Sequence, residues 1–309
     1  MVSAMSPLEA RGRRRLLRGG GGVAAAAVVA ALGAVGIVRS ALAQQPASPP
    51  RPRPAARGTG TGTGRGAPTA TTAGDPTGGD PLGSMQWPSM RAEFLGGAPV
   101  RFDDRVRVMV PTYAEDALNV PVTVDASGVD GVVSVMVLVD RNPIRKVLEF
   151  FPEGARPVLS FRFRLEQSSP VRAAVRLRDG SWAVGHAMVD AAGGGCTVPG
   201  ATRADGSWSS TLNQVQARIF EGPQSGGTRL RLRIMHPMDT GLVSGVPAFH
   251  IERLVLADAD GWPWMRLDVH EPVSENPVFS FDLPPAARAP LSLTGTDNNG
   301  NRVAARIAR

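Results

Sequence analysis

The residue with the clearest chemical capacity is a single thiol. Cys196 is the only cysteine among 309 residues, so the chain cannot form an intramolecular disulfide. Three glycines precede it, Gly193, Gly194 and Gly195, and Pro199 ends any extended pattern after it. A glycine segment is slender and mobile, and a thiol on such a segment can enter a narrow site on another protein. Because no histidine is adjacent to activate it, the thiol suits a carrier group better than a fast nucleophile.

A second group of residues combines soft sulfur with imidazole. Met235, His236 and Met238 lie close together in the sequence, and thioethers with an imidazole favour Cu(I). A strand that ends and turns at Pro237 explains the same residues without a metal, and this is the preferred interpretation. The remaining histidines have no ligand spacing with His236; they are His186, His250 and His270.

The sequence motifs of common hydrolases are absent. The chain contains no G-x-S-x-G, no H-E-x-x-H and no C-x-x-C. Two carboxylate pairs at turns, Asp103 with Asp104 and Glu271 with Glu275, are interpreted as surface residues. We therefore predict a protein that is not an enzyme and that holds no cofactor and no metal.

The segments that must position these residues alternate apolar and polar side chains with a period of two. This alternation begins after residue 84 and is typical of half-buried antiparallel strands. The arginines between the apolar positions are interpreted as the solvated faces of those strands. Helix signals are weak, with one turn expected over residues 113–118.

An internal repeat indicates two similar units. Pro170 and Pro290 each begin a strand that reaches a hairpin dipeptide nine residues later, Asp179-Gly180 and Asn299-Gly300. The sequence thus predicts an all-β protein with two immunoglobulin-like antiparallel β-sandwich domains. Their predicted ranges are 84–192 and 204–309, with residues 193–203 as the loop that carries Cys196.

The N-terminal segment predicts export. Arginines at positions 13–15 lead into an apolar run over residues 23–38, and an A-x-A site ends at Ala43. This indicates a signal peptide of the twin-arginine type over residues 1–43, cleaved after Ala43; the alternatives are an ordinary secretory signal and an uncleaved anchor. Residues 44–83 are rich in Pro, Arg, Gly and Thr and are expected to be a disordered linker. The mature protein is expected in the periplasm, free of the membrane.

The formal net charge of +7 lies in the N-terminal part of the chain. Residues 1–43 carry a net charge of +5 and residues 44–83 a net charge of +2, so residues 84–309 are neutral overall. A neutral folded part predicts no general basic face, which argues against nucleic acid as a partner.

Several segments together have the arrangement of a known family. In residues 84–199 they are Trp87 with Phe94-Leu95-Gly96, Val120-Pro121-Val122, Asp140-Arg141-Asn142-Pro143, Val171-Arg172-Ala173 and the Gly-Gly-Gly-Cys run. In residues 204–309 they are the segment from His236 to Gly241, Pro247-Ala248-Phe249, Glu275-Asn276-Pro277 and Asp297-Asn298-Asn299-Gly300. The first set resembles the sulfur-carrier subunit of the bacterial sulfur-oxidising (Sox) system, and the second resembles its partner subunit. Their order and fusion are similar to single-chain SoxYZ-like carriers associated with quinoprotein dehydrogenases.

This resemblance implies a periplasmic, non-catalytic carrier. Its cysteine would hold a sulfur intermediate covalently while partner redox enzymes act on it, and the second domain would be a structural companion. By position, Cys196 is the attachment residue and Gly193, Gly194 and Gly195 form its arm. Separate carrier subunits end almost at this cysteine, whereas here the chain continues through Thr197, so the arm is a loop fixed at both ends. Thiosulfate oxidation and a quinoprotein-linked role with another cargo both stay open.

Two other hypotheses stay open. The exposed edge at Trp262-Pro263-Trp264 suggests a non-covalent β-sandwich accessory module of a periplasmic quinoprotein dehydrogenase. A lone exported thiol could also join two chains through Cys196.

Overall fold

The structure, a computed structural model, describes residues 79–204, 206–223 and 225–308. The predicted signal peptide and residues 44–78 of the predicted linker lie outside the described residues. All described residues belong to one compact unit. We call residues 79–192 the first half and residues 204–308 the second half.

The described chain is built mainly of strands, as the alternation predicts. The first half contains helix α1 (Trp87–Leu95) and strands β1 (Val100–Phe102), β2 (Arg107–Met109), β3 (Tyr113–Ala114), β4 (Val120–Asp125), β5 (Val132–Val139), β6 (Lys146–Phe151), β7 (Val158–Phe163), β8 (Ser169–Leu177) and β9 (Trp182–Ala191). A 3₁₀ turn (Ala201–Arg203) and the short helix α2 (Trp208–Thr211) lead into the second half. Its strands are β10 (Val215–Glu221), β11 (Thr228–Ile234), β12 (Ile251–Ala257), β13 (Pro263–Val269), β14 (Val278–Leu283), β15 (Leu291–Asp297) and β16 (Arg302–Ile307).

Both predicted hairpins are confirmed. Asp179-Gly180 joins β8 to β9, and Asn299-Gly300 joins β15 to β16. Each glycine has a φ of +82°, in the left-handed region that glycine adopts without steric cost. The strand pairing is antiparallel except where β1 and β3 run parallel to β9.

Two sheets form the sandwich, and both continue from the first half into the second. The ten-stranded sheet has the order β1-β9-β8-β5-β6-β13-β12-β15-β16, with β3 also on β9, and the six-stranded sheet has the order β10-β11-β14-β7-β4-β2. The halves meet where β6 pairs with β13 and where β7 pairs with β14. One hydrophobic core therefore runs through both halves, and in it the rings of Phe150 and Phe281 lie 5.7 Å apart.

The adjacent tryptophans of the second half have different environments at this junction. Trp264 is 7% exposed, its carbonyl accepts the backbone N–H of Gly154 at 3.1 Å, and a Cβ on Gly154 would lie 2.7 Å from its ring. Trp262 is 62% exposed. Trp264 is therefore buried between the two halves, whereas Trp262 lies near Gly154 with most of its ring exposed.

Helix α1 covers the outer face of the ten-stranded sheet in the first half. Its residues Trp87, Met90 and Leu95 are buried against Met136, Leu138, Ala174, Trp182 and Val184 of the sheet. The sequence analysis missed this helix, which has nine residues and no side-chain cap. The single turn expected over residues 113–118 is wrong at its start, because Tyr113–Ala114 pairs with β9 as a strand.

The interpretation of all arginine stripes as solvated faces is wrong at Arg172. Its guanidinium is fully buried beneath Trp87, and it donates four hydrogen bonds of 2.7–2.8 Å to the carboxylates of Asp80 and Asp140. Helix α1 covers this part of the sheet, so the outward face of β8 is not in water. Asp80 also shows that the last residues of the predicted linker are folded onto the first half.

Candidate functional site

Cys196 lies in a loop that closes one end of the sandwich. The side chain is 1% exposed, and its Sγ lies 3.6 Å from the backbone oxygen of Arg164, to which it donates. Its own carbonyl accepts a hydrogen bond from the hydroxyl of Thr240, in the second half, at 2.8 Å. The loop expected to be mobile is therefore packed between the two halves in this structure.

The glycines allow this close packing. The N–H groups of Gly194 and Gly195 donate to the carbonyls of Glu166 and Leu165 at 2.9 and 3.1 Å. A Cβ on Gly195 would lie 2.2 Å from the backbone oxygen of Ala117, and Gly193 has a φ of +105°. The glycine segment expected to be mobile is instead packed against its neighbours, and Gly195 is buried. The glycines are the residues that let the backbone approach its neighbours this closely.

Glu166 holds the residues around the thiol. Its carboxylate accepts the backbone N–H of Cys196 at 2.9 Å and the hydroxyl of Thr197 at 3.0 Å. Burial first, and the charge of Glu166 second, raise the pKa of the Cys196 thiol to about 12, although nearby Arg164 partly opposes them. In this conformation the thiol is protonated at neutral pH and is a poor nucleophile.

Arg164 lies beneath the loop and is 2% exposed. Its guanidinium donates to three carbonyls, those of Gly195, Val198 and Met238, at 3.3–3.5 Å. No carboxylate of the described residues lies within ion-pair distance of it. Burial lowers the pKa of Arg164, and the charge of Glu275 is the largest opposing effect. Arg164 thus ties the loop to the second half through neutral acceptors.

The segment after Cys196 is held by the second half. The carboxylate of Glu275 accepts the backbone N–H groups of Ala201 and Thr202 at 3.2 and 2.9 Å, and Arg203 pairs with Asp239 at 2.6 Å. The interpretation of Glu275 as a plain surface residue is therefore wrong. The sequence analysis did not connect Arg164, Glu166, Thr240 or Glu275 with the thiol, because they are distant from Cys196 in the chain and belong to no catalytic motif.

The proposed Cu(I) ligands are engaged by the backbone. His236 is fully buried; its Nδ1 accepts the N–H of Met238 at 3.1 Å, and its ring centroid lies 4.4 Å from that of Phe249. The Sδ of Met238 accepts the N–H of Ile251 at 3.4 Å, and Met235 is half-buried. Burial lowers the pKa of His236 to about 4, with Asp297 opposing. These contacts support the interpretation of this segment as a strand end that turns at Pro237 rather than as a Cu(I) site.

The remaining candidates do not gather around the thiol. Asp103 pairs with Arg101 and Arg105, and Glu271 lies 4.0 Å from His250. Within the described ranges, no group of three or more His, Cys, Asp or Glu side chains could hold a metal ion. None of the helices in the described part of the chain is long and apolar enough to span a membrane.

Comparison with known proteins identifies both halves. The family of the sulfur oxidation protein SoxY matches residues 91–196, and the family of the sulphur oxidation protein SoxZ matches residues 220–308. A solved structure of the sulfur carrier protein SoxY from Chlorobium limicola f thiosulfatophilum is 24% identical, with 34% of this chain and 93% of that chain covered and a TM-score of 0.30. No curated protein matches the chain significantly.

The SoxY match ends at Cys196, and the SoxZ match covers the residues that hold the second part of the loop. SoxY and SoxZ domains are immunoglobulin-like β-sandwiches, so the predicted fold class is confirmed. The sequence resemblance is also confirmed at the level of the two families. The chain belongs to the SoxY and SoxZ families, joined in one polypeptide as a fused SoxYZ-like protein.

Proposed function

We propose that this protein is a periplasmic carrier that holds a sulfur-containing intermediate covalently on Cys196 and presents it to partner redox enzymes. The observation that carries this proposal is the position of Cys196. It is the only thiol of the chain, it lies where the SoxY match ends, and its loop is held between the SoxY and SoxZ domains. Gly193, Gly194 and Gly195 form the arm.

The loading step joins the Sγ of Cys196 to the sulfur of a reduced sulfur anion such as thiosulfate. An S–S bond forms, the thiol proton goes to solvent, and two electrons pass to the partner redox enzyme. The oxidant in this scheme is the partner redox enzyme, since the chain itself supplies no electron acceptor. The step needs a thiolate, so the buried and protonated thiol must first leave its site.

Opening of the loop makes this chemistry accessible. The contacts that must break are hydrogen bonds of the backbone and of Glu166, Thr240 and Arg164, and no side chain larger than cysteine has to leave the core. Once released, the five residues after Ala191 allow the thiol to move at most about 17 Å from the end of β9. That reach suits entry into the cleft of a partner that docks against the carrier.

The mass of the Cys196 peptide tests the proposal. Protein purified from its native host without reductant should carry sulfur-containing adducts on this peptide, and reductant should remove them. The Cys196→Ser variant is the matched control and should carry none. A Cys196 peptide found only unmodified, together with full sulfur-oxidising activity of Cys196→Ser in the host, would refute covalent carrying.

The exposed ring of Trp262 favours a second candidate function. Trp262 is 62% exposed, and Trp is enriched at protein interfaces relative to the rest of the surface. In this alternative the protein is a non-covalent accessory module of a periplasmic quinoprotein dehydrogenase. Trp262→Ala would then weaken capture of the dehydrogenase, while Cys196→Ser would leave it unchanged.

A further inference from the structure

The outer face of the six-stranded sheet carries a cluster of exposed arginines, which we call the arginine face. Its members are Arg162 on β7, Arg218 on β10, and Arg231 and Arg233 on β11. Arg218 and Arg231 are direct cross-strand neighbours, and Arg233 lies two residues further along β11. Side chains two residues apart on a strand point to the same side of the sheet, so Arg231 and Arg233 both face outward.

These four arginines have no carboxylate partner among the described residues. The two carboxylates on the same side of this sheet, Asp282 and Asp125, already pair with Arg229 and Arg107. Residues 84–309 are neutral overall, so the unpaired charges are a local concentration and not a general surplus. The expectation of a chain without a basic face therefore needs correction at this surface.

The arginine face borders the loop that carries the thiol. Arg162 precedes Arg164 by two residues, a separation of about 7 Å along an extended chain, and Arg164 donates to the loop carbonyls of Gly195 and Val198. The face is also built by both domains, because β7 belongs to the first half and β10 and β11 to the second. A partner bound there would be placed beside Cys196.

We propose that the arginine face is the docking surface for an acidic protein. A shallow groove of about 240 Å³ interleaves three of the arginines with apolar side chains, Phe220 and Val278, and Phe220 is 46% exposed. Arginine and aromatic residues are enriched at protein interfaces. No buried polar side chain converges on the groove, as a site for a small anion would require.

The dimensions and the charges favour the same occupant. At about 4.8 Å per strand, the six-stranded face is about 24 Å wide, which suits the small interfaces of transient redox encounters. The sequence of residues 1–78 has ten arginines and two carboxylates, so its charge has the same sign as that of the arginine face. The same face of a second copy of the chain would bring the same arginines and would therefore be repelled. Complementary charge would steer the acidic partner and would make association depend strongly on ionic strength.

Titration calorimetry with poly-L-glutamate tests the docking surface. The full chain should bind this acidic polypeptide at low ionic strength, and the double variant Arg231→Glu/Arg233→Glu should weaken binding by about tenfold or more. The matched control is Arg302→Glu/Arg306→Glu, which makes the same charge change at exposed positions of the other sheet and should alter binding by less than about twofold. Amide NMR shifts caused by the ligand should be confined to β7, β10 and β11.

Other results would overturn the proposal. Equal weakening by both double variants would show that only net charge matters. Tighter binding to phosphatidylglycerol vesicles, or millimolar thiosulfate that displaces the polypeptide, would assign the face to a membrane or to a small anion. The surface does not contain the thiol, so Cys196→Ser should bind like the wild type, and failure of covalent carrying would leave this result unchanged.

Discussion

Two buried arginines occupy opposite roles in the SoxY domain. Arg172, under helix α1, donates four hydrogen bonds of 2.7–2.8 Å to two carboxylates. Arg164, under the cysteine loop, donates three hydrogen bonds of 3.3–3.5 Å to neutral carbonyls. Burial disfavours the charged form of both arginines. The ion pairs of Arg172 nevertheless raise its pKa, whereas the pKa of Arg164 is lowered.

From this difference we expect the contacts of Arg172 to be harder to break than those of Arg164. The bonds of Arg172 join opposite charges at short distances, whereas those of Arg164 reach neutral carbonyls at 3.3–3.5 Å, beyond the usual range of about 2.7–3.2 Å for such bonds. The helix region around Arg172 is therefore expected to stay closed until the whole fold opens. The loop region around Arg164 is expected to open locally at a lower free-energy cost, as the proposed loading of the thiol requires.

The largest effect is expected from Arg172→Met. This change leaves the carboxylates of Asp80 and Asp140 buried without a cation, a situation that costs about 3–5 kcal/mol. Urea unfolding should show this loss in the free energy of unfolding. The control Arg176→Met, at an exposed position of the same strand, should change it by about 0.5 kcal/mol or less. Similar losses in both variants would mean that the buried network does not stabilise the fold.

The second-largest effect is expected from Gly195→Ala, which should alter the opening of the cysteine loop rather than the stability of the whole fold. In Gly195→Ala the new Cβ would lie 2.2 Å from the oxygen of Ala117, so the closed loop must shift. A closed state weakened by about 1.4 kcal/mol speeds iodoacetamide labelling of Cys196 about tenfold, because labelling follows the opening equilibrium. Gly194→Ala is the control, since its Cβ meets nothing nearer than 3.7 Å and adds only backbone strain at a φ of +84°. Equal labelling of the two variants would contradict a role for close packing.

Arg164→Met should have a smaller effect, which appears both in the free energy of unfolding and in the labelling rate of Cys196. The loop carbonyls lose their donor, but no carboxylate loses an ion pair, so we expect a loss of about 1 kcal/mol in unfolding free energy. Labelling of Cys196 should become several-fold faster. Arg162→Met, at an exposed position of β7 two residues before Arg164, is the control and should leave both values unchanged. A loss as large as that of Arg172→Met would remove the distinction between the two arginines.

The smallest effect is expected from Glu166→Gln, which keeps an acceptor for the N–H of Cys196 but removes a negative charge. Burial and this charge raise the pKa of the thiol to about 12, so the closed fold favours the protonated form. The resulting stabilisation is complete below the ordinary thiol pKa and is lost as the pH rises towards 12. The variant should shift the pH profile of alkylation to lower pH, whereas Glu153→Gln, an exposed control, should not. An unchanged profile would show that burial alone sets the pKa of Cys196.

Local sequence signals predicted much of the fold. The hairpin at Asp179-Gly180 was predictable because its turn and its two strands are adjacent in the chain. The arginine of Val171-Arg172-Ala173 was misplaced because an alternating pattern shows which side chains share a face, but not whether a helix covers that face. The junctions of β6 with β13 and of β7 with β14 escaped for a similar reason, since pairing between distant strands leaves no local signature.

The candidate site divides in the same way. The sequence by itself determined that Cys196 is the single thiol, that glycines precede it and that strands of period two surround it, because these follow from residue type and spacing. Only the tertiary structure decided that the thiol is buried, that Arg164 and Glu166 hold its loop, and that four arginines share one exposed face. Burial and electrostatic environment depend on which distant segments meet in space, and that is settled by the packing of the whole chain.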